Sequence, residues 1–136
     1  DRFGVCRVPA ALTYAQPNAR GHVQTQLVYG EPLRLLDRAE GHYLVQASDG
    51  YWGWVHADAV QTVTSEQFGA FLTDPRATTK RPIEAAHGQI PLGARLPVVD
   101  VEGDVCTVLL PDGRRAAPVK MFHTDAESAG YAINTE

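Results

Sequence analysis

At 136 residues, with 44% hydrophobic and 21% charged residues and a formal net charge of -4, the chain has the composition of an ordinary globular protein of one domain or two very small ones. No apolar stretch reaches the length of a transmembrane helix, and the twelve Lys and Arg are scattered, so neither membrane insertion nor a nucleic-acid partner is expected. The chain starts at Asp1 without an initiator Met, so its compartment is not legible at the terminus.

In chain order, Gly4-Val5-Cys6-Arg7-Val8 is an apolar strand pattern, and a polar, Pro-containing approach from Ala15 to Gly21 follows it. Leu33-Arg34-Leu35-Leu36-Asp37 then leads to a Glu-Gly turn, a second strand from Tyr43 to Ala47, the Asp49-Gly50 hairpin and a final strand. The run Asp49-Gly50-Tyr51-Trp52-Gly53-Trp54-Val55 puts three rings at a glycine-hinged turn, and large exposed rings are either core or a binding face. Gly53 predicts a close approach by a second backbone or a ligand. Strand alternation sends Trp52 and Trp54 to one face and Tyr51 to the other unless a bulge at Gly53 breaks the parity; Trp54, before Val55, is expected inside.

Gln61 to Gln67 reads as a connector, with Ser65 able to start a helical turn that Gly69 and Asp74-Pro75 interrupt. A long approach from Thr73 to Gly88 precedes Leu96-Pro97-Val98-Val99-Asp100, a second Glu-Gly turn, a strand from Val105 to Leu110 and the Asp112-Gly113 hairpin. This is an internal repeat, in which Gly30, Gly41 and Gly50 match Gly93, Gly103 and Gly113. It predicts an all-β chain of two small barrels in tandem, spanning 1–63 and 64–123, with 124–136 as a tail or linker. Where the first hairpin has Tyr-Trp-Gly-Trp-Val, the second has Arg114-Arg115-Ala116-Ala117-Pro118-Val119. A duplicated fold that keeps its glycines but loses the rings does not need all of them to build the barrel, so some are expected to bind.

Catalytic signatures are missing. The five histidines, His22, His42, His56, His87 and His123, have no partner at metal-ligand spacing and read as surface residues; no metal or cofactor is expected. Cys6 and Cys106 lie in apolar strand patterns and read as buried, inert thiols, a cross-unit disulfide being the alternative. There is no nucleophile elbow and no phosphate-cradling loop.

Gln26-Leu27-Val28-Tyr29-Gly30-Glu31 and the Asp-Gly-Tyr-x-Gly-Trp-Val hairpin resemble the bacterial SH3-like domain at the N-terminus of NlpC-type cysteine peptidases, which cut murein peptides at γ-D-glutamyl bonds. Leu92-Gly93-Ala94-Arg95-Leu96-Pro97-Val98-Val99 is similar to their second SH3-like domain, so the resemblance covers about Val5 to Phe122. It implies two SH3-like barrels without the catalytic domain, whose Asp-Cys-Ser-Gly context does not occur here. It also implies that Tyr51 helps recognise the free amino end of the murein peptide. Many relatives carry a Ser-Glu pair a few residues before the position of Gln26; this chain has Gly21-His22 there, and Glu31 is the acid nearby.

The expected function is therefore a non-catalytic region that positions or gates murein peptide for an NlpC-type catalytic domain in the same or a partner chain. Its substrate wall would be Tyr51, Trp52, His22 and Glu31, over a framework of Gly30, Gly41, Gly50, Gly53, Trp54, Gly93, Gly103 and Gly113. The alternatives are a peptidoglycan-binding module that anchors a parent protein and, lowest, a protein-protein adaptor. The cell envelope is the expected location, with cytoplasmic murein recycling as the other.

Overall fold

The computed structural model describes residues 2–73, 76–79, 83–85, 88–123 and 131–134. Strands β1 (Phe3–Cys6), β2 (Ala10–Gln16), β3 (Arg20–Val28), β4 (Pro32–Ala39), β5 (His42–Gln46), β6 (Trp52–His56) and β7 (Val60–Val63) form one antiparallel sheet in the order β3-β2-β6-β5-β4-β1-β7. Leu27 on one edge strand and Val60 on the other belong to the same core, with Cys6, Leu33, Tyr43, Val45 and Val55, so the sheet curls onto itself. Helix α1 (Ser65–Leu72) follows. The second unit is a closed barrel of β8 (Arg76–Thr79), β11 (Arg95–Glu102), β12 (Val105–Leu109), β13 (Arg115–His123) and β14 (Tyr131–Asn134), beside a small hairpin of β9 (Ile83–Ala85) and β10 (Gly88–Ile90). The described residues are all-β apart from α1 and one short 3-10 turn at Ala57–Ala59.

The repeat extends to individual hydrogen bonds. At the first hairpin the Gly50 N–H donates to the Ala47 carbonyl and the Tyr51 N–H to Asp49 Oδ1; at the second, Gly113 donates to Leu110 and Arg114 to Asp112 Oδ1. Each Asp side chain thus closes its own turn, and the following Gly takes the positive φ that the turn requires, +88° and +90°.

Several expectations are corrected. The approach from Ala15 to Gly21 is not a loop: β2 and β3 form a hairpin whose tip holds Asn18 and Ala19 at positive φ, and Asn18 Nδ2 donates to Glu40 Oε1 across to the next turn. The connector from Gln61 to Gln67 is instead the end of β7 and the start of α1. Thr64, not Ser65, caps the helix, because its hydroxyl accepts the Gln67 N–H while Gln67 Oε1 accepts the Thr64 N–H. Burial of Phe68 and Phe71, three apart on one face, holds the helix despite Gly69. The stretch read as a tail contributes β14, which pairs with β13 and closes the barrel against β8. Part of the approach from Thr73 to Gly88, and residues 124–130, lie outside the described residues, as does His87.

Strand β1 joins the two units by using both faces. Cys6 faces the core of the first, whereas Val5 packs into the core of the second with Phe71, Leu96 and Val108. The two thiols are free and sit in separate cores, so the cross-unit disulfide is not formed. Burial pushes both up to about 11. Among the described residues no helix is long and apolar enough to cross a membrane.

Candidate functional site

The Asp49-Gly50 turn is braced from below by polar contacts that the first unit builds for it. Thr25 on β3 donates its hydroxyl to Asp49 Oδ2 at 2.7 Å, and Thr13 on β2 holds Thr25 through its own hydroxyl. Glu31 accepts the Val28 N–H on one carboxylate oxygen and the Ser48 N–H and hydroxyl on the other, the last at 2.6 Å. These bonds lock the strands on either side of the turn. Beyond them Tyr51 and Trp52 stand out into solvent, 59% and 56% exposed.

Strand β6 runs in regular register past β5, with Trp52 opposite Gln46, Gly53 opposite Val45 and Trp54 opposite Leu44, so no bulge breaks the parity. Gly53 and Val55 face inward. Gly53 admits a close neighbour, but that neighbour is the buried Thr13 side chain and not the second backbone or ligand expected from its sequence context. Trp54, expected in the interior, is half-buried on the outer face because Val55 takes the inward position. Residues directly opposite each other across a sheet share a face. Trp54 therefore lies in one outer row with Leu44, Tyr14 and the exposed Val23, and Trp52 in a second row with Gln46, Arg34 and Phe3.

The substrate wall expected from sequence is thus only partly assembled. Tyr51 and Trp52 are consecutive and both exposed, but with the parity of β6 unbroken alternation gives them opposite faces. Glu31 is committed to the turn beneath them and serves as a brace. His22 is exposed on β3, three residues beyond Thr25 toward the Asn18 tip, about 10 Å along the strand from the brace. Of the framework glycines, Gly30, Gly41, Gly50, Gly93, Gly103 and Gly113 all take positive φ. Gly30 is also an interface residue, since a Cβ there would meet the Arg95 carbonyl of the second unit.

The two hairpins have opposite surroundings. In the second, Arg114 pairs with Asp112 at 2.6 Å and a Cβ on Gly113 would touch Gln67 of α1. Tyr29 of the first unit packs against the second core, where burial and then the Asp112 charge raise its phenol above the ordinary value. The second hairpin approaches α1 through Gly113 while Asp112 to Arg115 stay exposed, whereas a groove separates the first hairpin from α1.

Sequence reasoning missed Arg34, Gln46 and Ser48, which border the free hairpin on its α1 side. The alternation in Leu33-Arg34-Leu35 marks Arg34 as outward, but its neighbours on β5 and α1 follow only from register and from the helix. His42 is a further correction: it is buried, its Nδ1 hydrogen-bonded to the Glu40 carbonyl at 2.9 Å and its ring edge-on to His56 at 5.1 Å. Among the described residues no group of three or more His, Cys, Asp or Glu is gathered for a metal.

Comparison with known proteins places these features. Residues 13–60 match the family described as the bacterial dipeptidyl-peptidase SH3 domain. The fold is similar to the crystal structure of an NlpC/P60 family protein from Bacillus cereus, with a TM-score of 0.65 and 16% identity, over 84% of this chain and 53% of that one. The chain therefore spans about half the length of that protein, and at this identity the likeness is one of fold. No curated protein sequence matches the chain.

Proposed function

We propose that this chain, whose first unit carries a bacterial dipeptidyl-peptidase SH3 domain, is the accessory region of an NlpC-type murein peptidase and forms one wall of its substrate cleft. The observation that carries this reading is the pair of exposed rings, Tyr51 and Trp52, on a turn braced by Glu31, Asp49 and Thr25. Holding an exposed aromatic in place by half-buried and exposed polar contacts is useful when the ring must meet something outside the chain. The Tyr51 phenol is suited to hydrogen-bond a peptide amino end while its ring limits what fits beside it. The bond-breaking groups would come from a catalytic domain in the same or a partner chain, which places the work in the cell envelope or in murein recycling.

The second unit, which packs on Val5, Tyr29 and Gly30 of the first, serves to fix its orientation. In the hydrolase that carries this region, Tyr51→Ala should raise KM for a free-amine murein peptide more than it lowers kcat. Unchanged kinetic constants would overturn the reading.

A second reading follows from the outer rows. Trp52, Trp54 and Tyr14 share the outer face of neighbouring strands, and aromatic rings so placed can carry saccharide rings, which favours anchoring to peptidoglycan. Sedimentation of the isolated chain with intact murein sacculi separates the two, since an anchoring module is retained on the polymer and a wall that takes only short free-amine peptides is not.

A further inference from the structure

We infer that the groove between the Asp49-Gly50 hairpin and α1 is a carboxylate-binding subsite, with Arg34 as its cation, for a short anionic peptide. The inference rests on the cleft-wall reading and assigns the part of the ligand that Tyr51 does not touch. The groove encloses about 260 Å³ between Pro32, Arg34, Gln46, Ser48, Phe68 and Leu72. That volume suits one or two amino-acid residues and is below the range of sites for larger ligands, about 300 Å³ upward.

Three features single out Arg34. Its guanidinium carbon lies 5.7 Å from the centroid of the Phe68 ring, so the ring orients the fork without consuming its N–H donors. Among the described residues it has no carboxylate partner. The two acids near the hairpin are already engaged, Glu31 by Val28 and Ser48, and Asp49 by Thr25 and Tyr51. Beside it, Gln46 donates one amide hydrogen to the Gly50 carbonyl and keeps a second donor for a ligand. The apolar side formed by Pro32, Phe68 and Leu72 would take the aliphatic stem that bears the carboxylate.

Register ties the groove to the rings. Arg34, Gln46 and Trp52 are consecutive members of one cross-strand row on β4, β5 and β6. A ligand laid along that row has its acid at Arg34 and its remaining length over Trp52. α1 closes the row at Phe3, which stacks on Phe68 at 4.4 Å. The subsite therefore exists only because the helix packs at the junction.

The test is a titration of the isotopically labelled full chain with L-Ala-γ-D-Glu-diaminopimelate, followed by NMR, against the same peptide with its carboxylates amidated. The acid peptide should shift the Arg34 Nε–H, the Gln46 side-chain amide and the Trp52 indole, and amidation or Arg34→Gln should weaken binding about tenfold. Arg34→Lys should recover part of the affinity as a point charge without the fork, and the dispersion of the amide spectrum checks that each variant is folded. Equal titration of wild type and Arg34→Gln, equal binding of acid and amidated peptides, or no shift at Arg34 and Gln46 would each overturn the subsite. Tyr51→Ala separates the two ideas. Binding that depends on Arg34 but not on Tyr51 would overturn the ring's role in the cleft wall, and the reverse would overturn the carboxylate site alone.

Discussion

Gly53 lies flush against Thr13: a Cβ built on Gly53 would fall 2.5 Å from Thr13 Oγ1 and 2.6 Å from its Cβ. Thr13 is fully buried and holds Thr25, which in turn holds Asp49, so the missing side chain at 53 is what lets β6 approach β2 and support the hairpin. Gly53→Ala should lower stability by about 1–3 kcal/mol through overpacking, read from the midpoint of urea unfolding. A neutral result would mean that β2 yields freely and that the brace is not rigid.

The parity of β6 predicts opposite costs for neighbouring residues. Val55 is 2% exposed and belongs to the first core, so Val55→Ala should cost about 2 kcal/mol. Trp52→Ala removes a larger side chain from the surface and should stay within about 0.5 kcal/mol. Equal losses in chemical denaturation would contradict the placement of Trp52 outside.

Glu31 is assigned to the turn rather than to a ligand. Glu31→Ala leaves the Val28 and Ser48 N–H groups without their acceptor and should cost about 1–2 kcal/mol, discounted from the buried range because the carboxylate is half-exposed. Faster hydrogen exchange at Ser48 and Tyr51 should accompany it. Undiminished protection there would show that the hairpin does not depend on the acid.

The thiols give a pH dependence. Burial raises both folded-state values from 9.0 to about 11, so the folded protein keeps protons that the unfolded chain loses as pH rises above 9. Their contribution is fully present below pH 9 and is lost as pH climbs toward 11. The Cys6→Ala/Cys106→Ala double variant, compared with wild type across pH 8 to about 11, should show a shallower decline. Neither thiol should react with a disulfide reagent at pH 8 until denaturant is added; rapid labelling of the native chain would place a cysteine at the surface.

Local physics made much of the chain legible. Asp-Gly and Glu-Gly pairs mark positive-φ turns wherever they stand, so the repeat and the second strands could be read before any contact was known. Tyr51 and Trp52 were legible as exposed candidates because their counterparts in the repeat are not aromatic. The capping box Thr64-x-x-Gln67 is equally local, although in the sequence Ser65 reads as the cap and Gly69 with Asp74-Pro75 as the interruption; the burial of Phe68 and Phe71 shows why the helix persists. The β2–β3 hairpin escaped notice because its tip uses Asn18 and Ala19 instead of a glycine pair.

By itself, then, the sequence determined the all-β class, the duplication, the free thiols' apolar setting and the ring-bearing turn, all of which rest on residue type and short spacing. Tertiary structure decided which face each ring takes, that Glu31 is a brace, that His22 stands apart, and that Arg34 meets Phe68 across a groove. Those outcomes depend on strand register and on the docking of α1. A one-residue change in register exchanges the two faces of a strand, and no local pattern records which elements will pack over it.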